Sequence, residues 1–157
     1  MKIGIFGASN DVDNEQIVKA ASGLGEWLIK NDHSLVYSRN AAGLVLVVLD
    51  AVEQEGGKTI QIDSESIDDM LPAVDAIIFL PGGIDVFHCG IHLFNLCEEG
   101  VFMKPFLLLN IDGFWTPLTQ MLTRMKSDQF LSNIPDNVCF CDSMDGIDKT
   151  IKQEIEE

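Results

Sequence analysis

The chemistry this sequence could carry is concentrated between residues 81 and 92. Pro81-Gly82-Gly83-Ile84 interrupts an apolar run, Ala76-Ile77-Ile78-Phe79-Leu80, just before a long segment with helical spacing. Two glycines between a buried strand and a helix N-terminus leave backbone N–H groups uncovered, a geometry that favours a bound anion such as phosphate. Four side chains follow on the helix. Asp85 offers a carboxylate, His88 and His92 stand one turn apart, and Cys89 lies beside them. Histidines at i and i+4 can chelate a metal, yet such pairs arise often by chance, and a polar interface stripe is the simpler reading. A thiol near a helix N-terminus can be a nucleophile, but nothing in the sequence sets Cys89 against a base. Asp85, His88 and Cys89 are thus the candidate catalytic residues, His88 and His92 weak metal candidates, and no cofactor is implied.

These residues need strands and helices to hold them. Residues 2–7 read as a buried strand, with Ala8-Ser9-Asn10 in the loop at its carboxyl end. Asp13, three residues before Gln16, reads as the cap of a helix running to about Lys30 through Ile17, Ala20, Ala21, Leu24 and Leu28. Gly23 and Gly25 inside it suggest close packing on the sheet. Ser34–Tyr37 and 58–62 read as strands. Between them Leu44-Val45-Leu46-Val47-Val48-Leu49 prefers a strand locally, but parallel neighbours need a crossover, which argues for a helix over 42–55. Residues 63–69 are polar and acidic and read as a connection or one short helical turn.

The helix over 84–98 carries Asp85, His88, His92, Asn95 and Glu99 as one polar stripe and is apolar elsewhere, which implies burial on two sides and a symmetric partner subunit. A strand at 105–110 follows, then a helix capped by Thr116 with Pro117 at its first position and Leu118, Met121, Leu122 and Met125 on its inner face. A strand at 137–141 and an acidic helix at 143–155 complete the chain. The expectation is a single domain over 1–157, an α/β fold with a mainly parallel, doubly wound sheet and helices on both faces.

Composition narrows the partners. Ten basic and twenty-five acidic side chains give a net charge of −15, which argues against nucleic acid. No apolar run reaches the roughly 18 residues of a membrane span, and the first seven residues read as a strand rather than a leader, so a cytoplasmic home is expected. Cys89, Cys97, Cys139 and Cys141 show no C-x-x-C spacing and read as buried reduced thiols. Arg39 could hold a phosphate, though a surface ion pair is the simpler expectation.

Motif order supplies a family. Ile5-Phe6-Gly7-Ala8-Ser9, Leu35-Val36-Tyr37 with Gly43-Leu44, Leu80-Pro81-Gly82-Gly83, Lys104-Pro105 and Leu109-Asn110-Ile111-Asp112-Gly113-Phe114-Trp115 resemble the LOG family of Rossmann-like, lysine-decarboxylase-like proteins, across nearly the whole chain. The resemblance implies hydrolysis of the N-glycosidic bond of nucleoside 5′-monophosphates. Where the family signature reads P-G-G-x-G-T-x-x-E, this chain has Asp85 and Val86 for the G-T pair and Cys89 for the glutamate. The family's upstream arginine falls near Ser66, and residues 60–80 contain neither Arg nor Lys. The turn after the second strand is altered to Ser38-Arg39-Asn40.

The expectation is a protein that binds a nucleotide or similar phosphorylated ligand with little phosphoribohydrolase activity. Gly7, Ala8, Ser9, Asn10, Arg39, Gly43, Pro81, Gly82, Gly83 and Ile84 would form the site, and a homodimer would pair through 84–98. The alternatives are an active hydrolase using Asp85 or His88, and an interaction or metal-binding homodimer.

Overall fold

The computed structural model describes residues 1–156. Six strands pair in parallel in the order β3-β2-β1-β4-β5-β6: β1 Lys2–Phe6, β2 Ser34–Ser38, β3 Lys58–Ile62, β4 Ala76–Phe79, β5 Phe106–Leu109 and β6 Val138–Cys141. The helices are α1 Glu15–Lys30, α2 Leu44–Gln54, the one-turn α3 Ile67–Met70, α4 Ile84–Glu98, α5 Thr116–Ser127 and α6 Met144–Glu156. Since successive strand side chains point to opposite faces, each strand feeds two cores. Ile3, Ile5, Ala76, Ile78, Leu107 and Leu109 face α1, α2 and α6, whereas Ile77, Phe79, Phe106 and Leu108 face α3, α4 and the start of α5. The sheet is doubly wound and Rossmann-like, as expected.

The apolar run 44–49 is a helix. Leu44, Val45, Val48, Leu49 and Val52 are its buried positions, a 3.6-residue period, and the crossover between parallel β2 and β3 overrides the local strand preference. It packs tightly on α1 at Gly25, where an added Cβ would lie 2.6 Å from that of Ala51. Gly25 therefore serves helix–helix contact, not packing on the sheet, and Gly23 has open space around it.

Several finer expectations are corrected. The cap of α1 is Asn14, whose side chain accepts from the amides of Gln16 and Ile17; Asp13 lies one residue too early. Trp115 rather than Thr116 caps α5, without a side-chain bond, and the Thr116 hydroxyl accepts from Asn110 instead. Met121 is 52% exposed, so the inner face of α5 is narrower than its sequence suggests. Of the four free thiols only Cys97 and Cys141 are buried; Cys89 and Cys139 are half-exposed. Among the described residues no helix is long and apolar enough to cross a membrane.

Candidate functional site

The order of the sheet reverses between β1 and β4, the place where doubly wound folds leave a crevice at the carboxyl ends of their strands. Two backbone bonds hold the crevice rims together: the Leu80 amide donates to the Phe6 carbonyl at 2.7 Å and the Ala8 amide to the Pro81 carbonyl at 2.9 Å. Gly7-Ala8-Ser9 and Pro81-Gly82-Gly83 therefore form one rim. The glycine at 82 is required by space, since an added Cβ would lie 2.4 Å from a methyl of Val86. Gly83 precedes α4 with no side-chain cap, so the first-turn amides of α4 keep their affinity for a negative group.

Gly43 plays a different part from its neighbours. Its φ is +54°, and a Cβ there would fall 2.1 Å from the Ala8 carbonyl oxygen. The following amide, that of Leu44, donates to the same oxygen at 2.9 Å. This close approach, open only to glycine, ties the start of α2 to the loop after β1. Its neighbours there are carbonyl oxygens of Ala8 and Asn10, which repel an anion.

Distinct clefts meet at the rim. A polar cleft of about 230 Å³ is lined by Gly7, Ser9, Ser38, Asn40, Glu65, Asp85 and Cys89, among others. A second, about 260 Å³, runs along Ala8, Asn10, Ile17 and Pro81 to Gly83. A groove of about 450 Å³ continues from Gly82, Gly83 and Ile84 to Phe87, Phe114, Trp115 and α5. Neither of the two that share Gly82 and Gly83 contains a charged side chain. Asp85 points instead into the polar cleft, where the Ser9 hydroxyl donates to its Oδ2 at 3.1 Å. Its other oxygen, Oδ1, lies 3.4 Å from where a Cβ on Gly83 would stand, so the carboxylate also borders the glycine rim.

The remaining candidates fall elsewhere. His88, His92 and Cys89 line a depression of about 330 Å³ with Glu65 and Asp68. His92 Nε2 lies 2.8 Å from Asp68 Oδ1, which occupies one of its two ring nitrogens. Among the described residues no group of three His, Cys, Asp or Glu side chains is placed to hold a metal ion. Burial, then the carboxylates of Asp85 and Asp68, push the Cys89 thiol up from its ordinary value, which disfavours the thiolate a nucleophile requires. Arg39 lines none of these clefts; its Nη1 donates to Asp63 at 3.2 Å in an exposed pair.

Two motif residues hold the scaffold. The Lys104 ammonium donates to the carbonyls of Val74 and Leu71 at 2.6 and 3.3 Å. Asn110 accepts from the Trp115 amide at 2.6 Å and donates to Thr116 and Asp142, fixing the aromatic pair Phe114–Trp115 beside the groove. Three residues that line these clefts were not among the site residues expected from the sequence. Glu65 sits in a polar connection with no pattern of its own, yet it lines the polar cleft and the histidine depression. Phe114 and Trp115 form a groove wall, and their adjacency in the Asp112-Gly113-Phe114-Trp115 segment was the available signal.

Known proteins match this chain in sequence and in fold. The family model described as "Possible lysine decarboxylase" matches residues 64–151, more than half of the chain. The cytokinin riboside 5′-monophosphate phosphoribohydrolase LOG2 of Arabidopsis thaliana is 26% identical over 84% of this chain and 73% of its own length. LOG7 of the same plant is 27% identical over 83% and 71%. Among solved structures, the molybdenum cofactor carrier protein of Chlamydomonas reinhardtii has a TM-score of 0.72 at 16% identity, covering 99% of this chain and 98% of that one. The molybdenum cofactor binding protein of Rippkaea orientalis has a TM-score of 0.68 at 19% identity, covering 98% and 96%. At those identities the structural likeness is one of fold.

Proposed function

The chain belongs to the lysine-decarboxylase-like family that includes the LOG proteins, and we propose that it binds a nucleoside 5′-monophosphate or similar phosphorylated compound at the Pro81-Gly82-Gly83 rim, with little or no phosphoribohydrolase activity. The observation that carries the reading is the uncapped start of α4, held against the loop after β1 by the Ala8–Pro81 bond. Its two glycines line clefts free of charged side chains. The named activity of the sequence relatives on a riboside 5′-monophosphate supports the ligand class. The structural neighbours are molybdenum cofactor carrier and binding proteins, which supports small-molecule carriage on the same fold.

Weak turnover follows from charge. Cleaving an N-glycosidic bond develops positive charge on the ribose and negative charge on the departing base. The family resemblance puts a glutamate at position 89, and a neutral thiol stands there, its pKa raised by burial. One observation favours the alternative of an active hydrolase: Asp85 and Glu65 both line the polar cleft and could supply carboxylates.

Calorimetric titration with ribose 5-phosphate and AMP, beside chromatography for free adenine, separates these readings. Binding without adenine release above the protein-free control is expected. Release that disappears in Asp85→Asn or Glu65→Gln would establish the hydrolase instead, and no binding of either compound would refute the site. The same proposal assigns a second copy of the chain to the Ile91–Phe94 half of α4, where Ile91 stays 40% exposed. Light scattering should give twice the chain mass, and a monomer refutes that pairing.

A further inference from the structure

The four thiols divide into two single residues and a pair. Cys89 and Cys97 lie on α4, and the buried Cys97 sulfur accepts from the Asn137 amide at 3.4 Å. Cys139 and Cys141 stand two residues apart on β6. Both turn to the side of the sheet that α1, α2 and α6 cover, while Val138 and Phe140 face the other core. β6 is the last strand of the sheet, so no further strand covers the edge beside the pair. Cys139 is half-exposed there and Cys141 is buried.

The helix over the pair is polar where it meets the two sulfurs. Gly146, Thr150 and Glu154 recur at i, i+4 and i+8 on α6, one stripe of the helix. At Gly146 the helix comes close, since an added Cβ would lie 3.4 Å from that of Cys141. Burial pushes the Cys141 thiol up to about 11, against the Thr150 hydroxyl beside it, which favours the thiolate. Burial, and then the Glu154 carboxylate, push the Cys139 thiol up. Spacing decides what chemistry such a pair can do. Two residues of strand rise by about 6.6 Å, and the register of β6 against β5 is unbroken from Val138 to Cys141. The two Cβ atoms therefore stay beyond the roughly 3.5–4.5 Å of a disulfide. A metal ion between the sulfurs spans about 4.6 Å, twice a metal–thiolate bond of roughly 2.3 Å, a gap that side chains inclined toward each other can close. Among the described residues no set of three His, Cys, Asp or Glu side chains is placed on a metal, which leaves zinc's tetrahedron unfilled.

We propose that Cys139 and Cys141 form a two-sulfur site for a soft monovalent metal ion, with cuprous copper as the type. Thiolates select such an ion, whereas carboxylate and carbonyl oxygens suit magnesium, calcium and manganese. On binding, each thiol gives its proton to solvent and each sulfur bonds to the metal through a lone pair. Copper stays monovalent throughout, and no oxidant or reductant takes part. Two protons leave as one positive charge arrives. The open edge of β6 gives the ion its entry past Cys139. The pair lies two strands from β4, so the site is separate from the Gly82–Gly83 crevice and does not depend on the anion reading.

Competition for cuprous ion tests it. Under argon, copper(I) held by the chelator bicinchoninate is titrated with the full chain, and loss of the chelator's colour counts the metal transferred. The native chain and Cys89→Ser should each take one equivalent, and Cys139→Ser should bind roughly hundredfold more weakly or worse. Circular dichroism checks that Cys139→Ser is folded. Alkylation with iodoacetamide, read by mass spectrometry, gives a second answer without any variant: copper should slow the labelling of Cys139 by about tenfold or more, because a bound thiolate no longer attacks, and leave Cys89 unchanged. X-ray absorption of the loaded protein should place copper between two sulfurs with no imidazole nitrogen. Copper held at native affinity by folded Cys139→Ser, copper lost in Cys89→Ser, or nitrogen among its neighbours overturns the site. Absence of transfer from the chelator, a Cys139 labelling rate indifferent to copper, or displacement of the copper by equimolar zinc overturns it as well.

Discussion

Asp85 separates what attracts a ligand from what repels it. In the first turn of α4 its carboxylate stabilises the helix dipole, a contribution of about 0.3–1 kcal/mol, and it opposes an anion on the neighbouring amides by a similar amount. Asp85→Asn keeps an acceptor for the Ser9 hydroxyl while removing the charge. Ribose 5-phosphate should then bind about two- to fivefold more tightly by calorimetry, with slightly lower thermal stability; unchanged or weaker binding would show that the anion lies elsewhere. His33 is a second residue with a measurable consequence. It is buried at 8% exposure, its Nδ1 lies 3.1 Å from the terminal amine, and its ring packs edge-on against Trp27. Burial first, and then that amine, lower its pKa below the ordinary 6.5. Above 6.5 both folded and unfolded chains hold it neutral. Below 6.5 the unfolded chain takes a proton that the folded one resists, so stability falls with pH until the folded pKa is reached. Urea titrations between pH 7.5 and 5 should show this loss, with a slope of no more than about 1.4 kcal/mol per pH unit from this group, and His33→Gln should flatten it.

Elements were legible where a periodic pattern or a topological need spoke for them. The strands at 76–80 and 105–110 announced themselves as short apolar runs, and α2 emerged from the demand for a crossover in spite of its β-branched residues. Capping was less legible, because Asp13 and Asn14 are both good caps and only the local backbone chooses between them. The contacts between elements were the least legible. Glu65 meets the Asp85 cleft because strand order brings the β3–α3 connection over the carboxyl end of β1, and no local signal encodes that. Gly43 could be read as a ligand residue but not as the link between α2 and the β1 loop. That link makes a prediction. Gly43→Ala places a Cβ 2.1 Å from a carbonyl oxygen at positive φ, whereas Gly23→Ala meets nothing within 4 Å inside a helix. Urea denaturation should show Gly43→Ala destabilising by about 2 kcal/mol or more, and Gly23→Ala stabilising by up to about 1 kcal/mol. Equal effects would mean that the α2 tether contributes nothing.

At the scale of the whole molecule, a net charge of −15 surrounds a site proposed for an anion. Phosphate sites commonly recruit ligand with a positive surface, and their affinity falls with salt. Here the fixed amides of the glycine turn act at contact range while the acidic surface repels at long range. Arg39, the nearby cation that the sequence offered, is already turned to Asp63. Raising ionic strength from about 0.01 to about 0.1 M shortens the Debye length from roughly 30 to roughly 10 Å, which screens the distant carboxylates far more than the amides in contact with the ligand. The association rate of ribose 5-phosphate should therefore rise with added potassium chloride, measured by stopped-flow fluorescence, and the dissociation rate should change little. A rate that falls with salt would reveal a cationic approach to the site and would contradict an anion held by backbone amides alone.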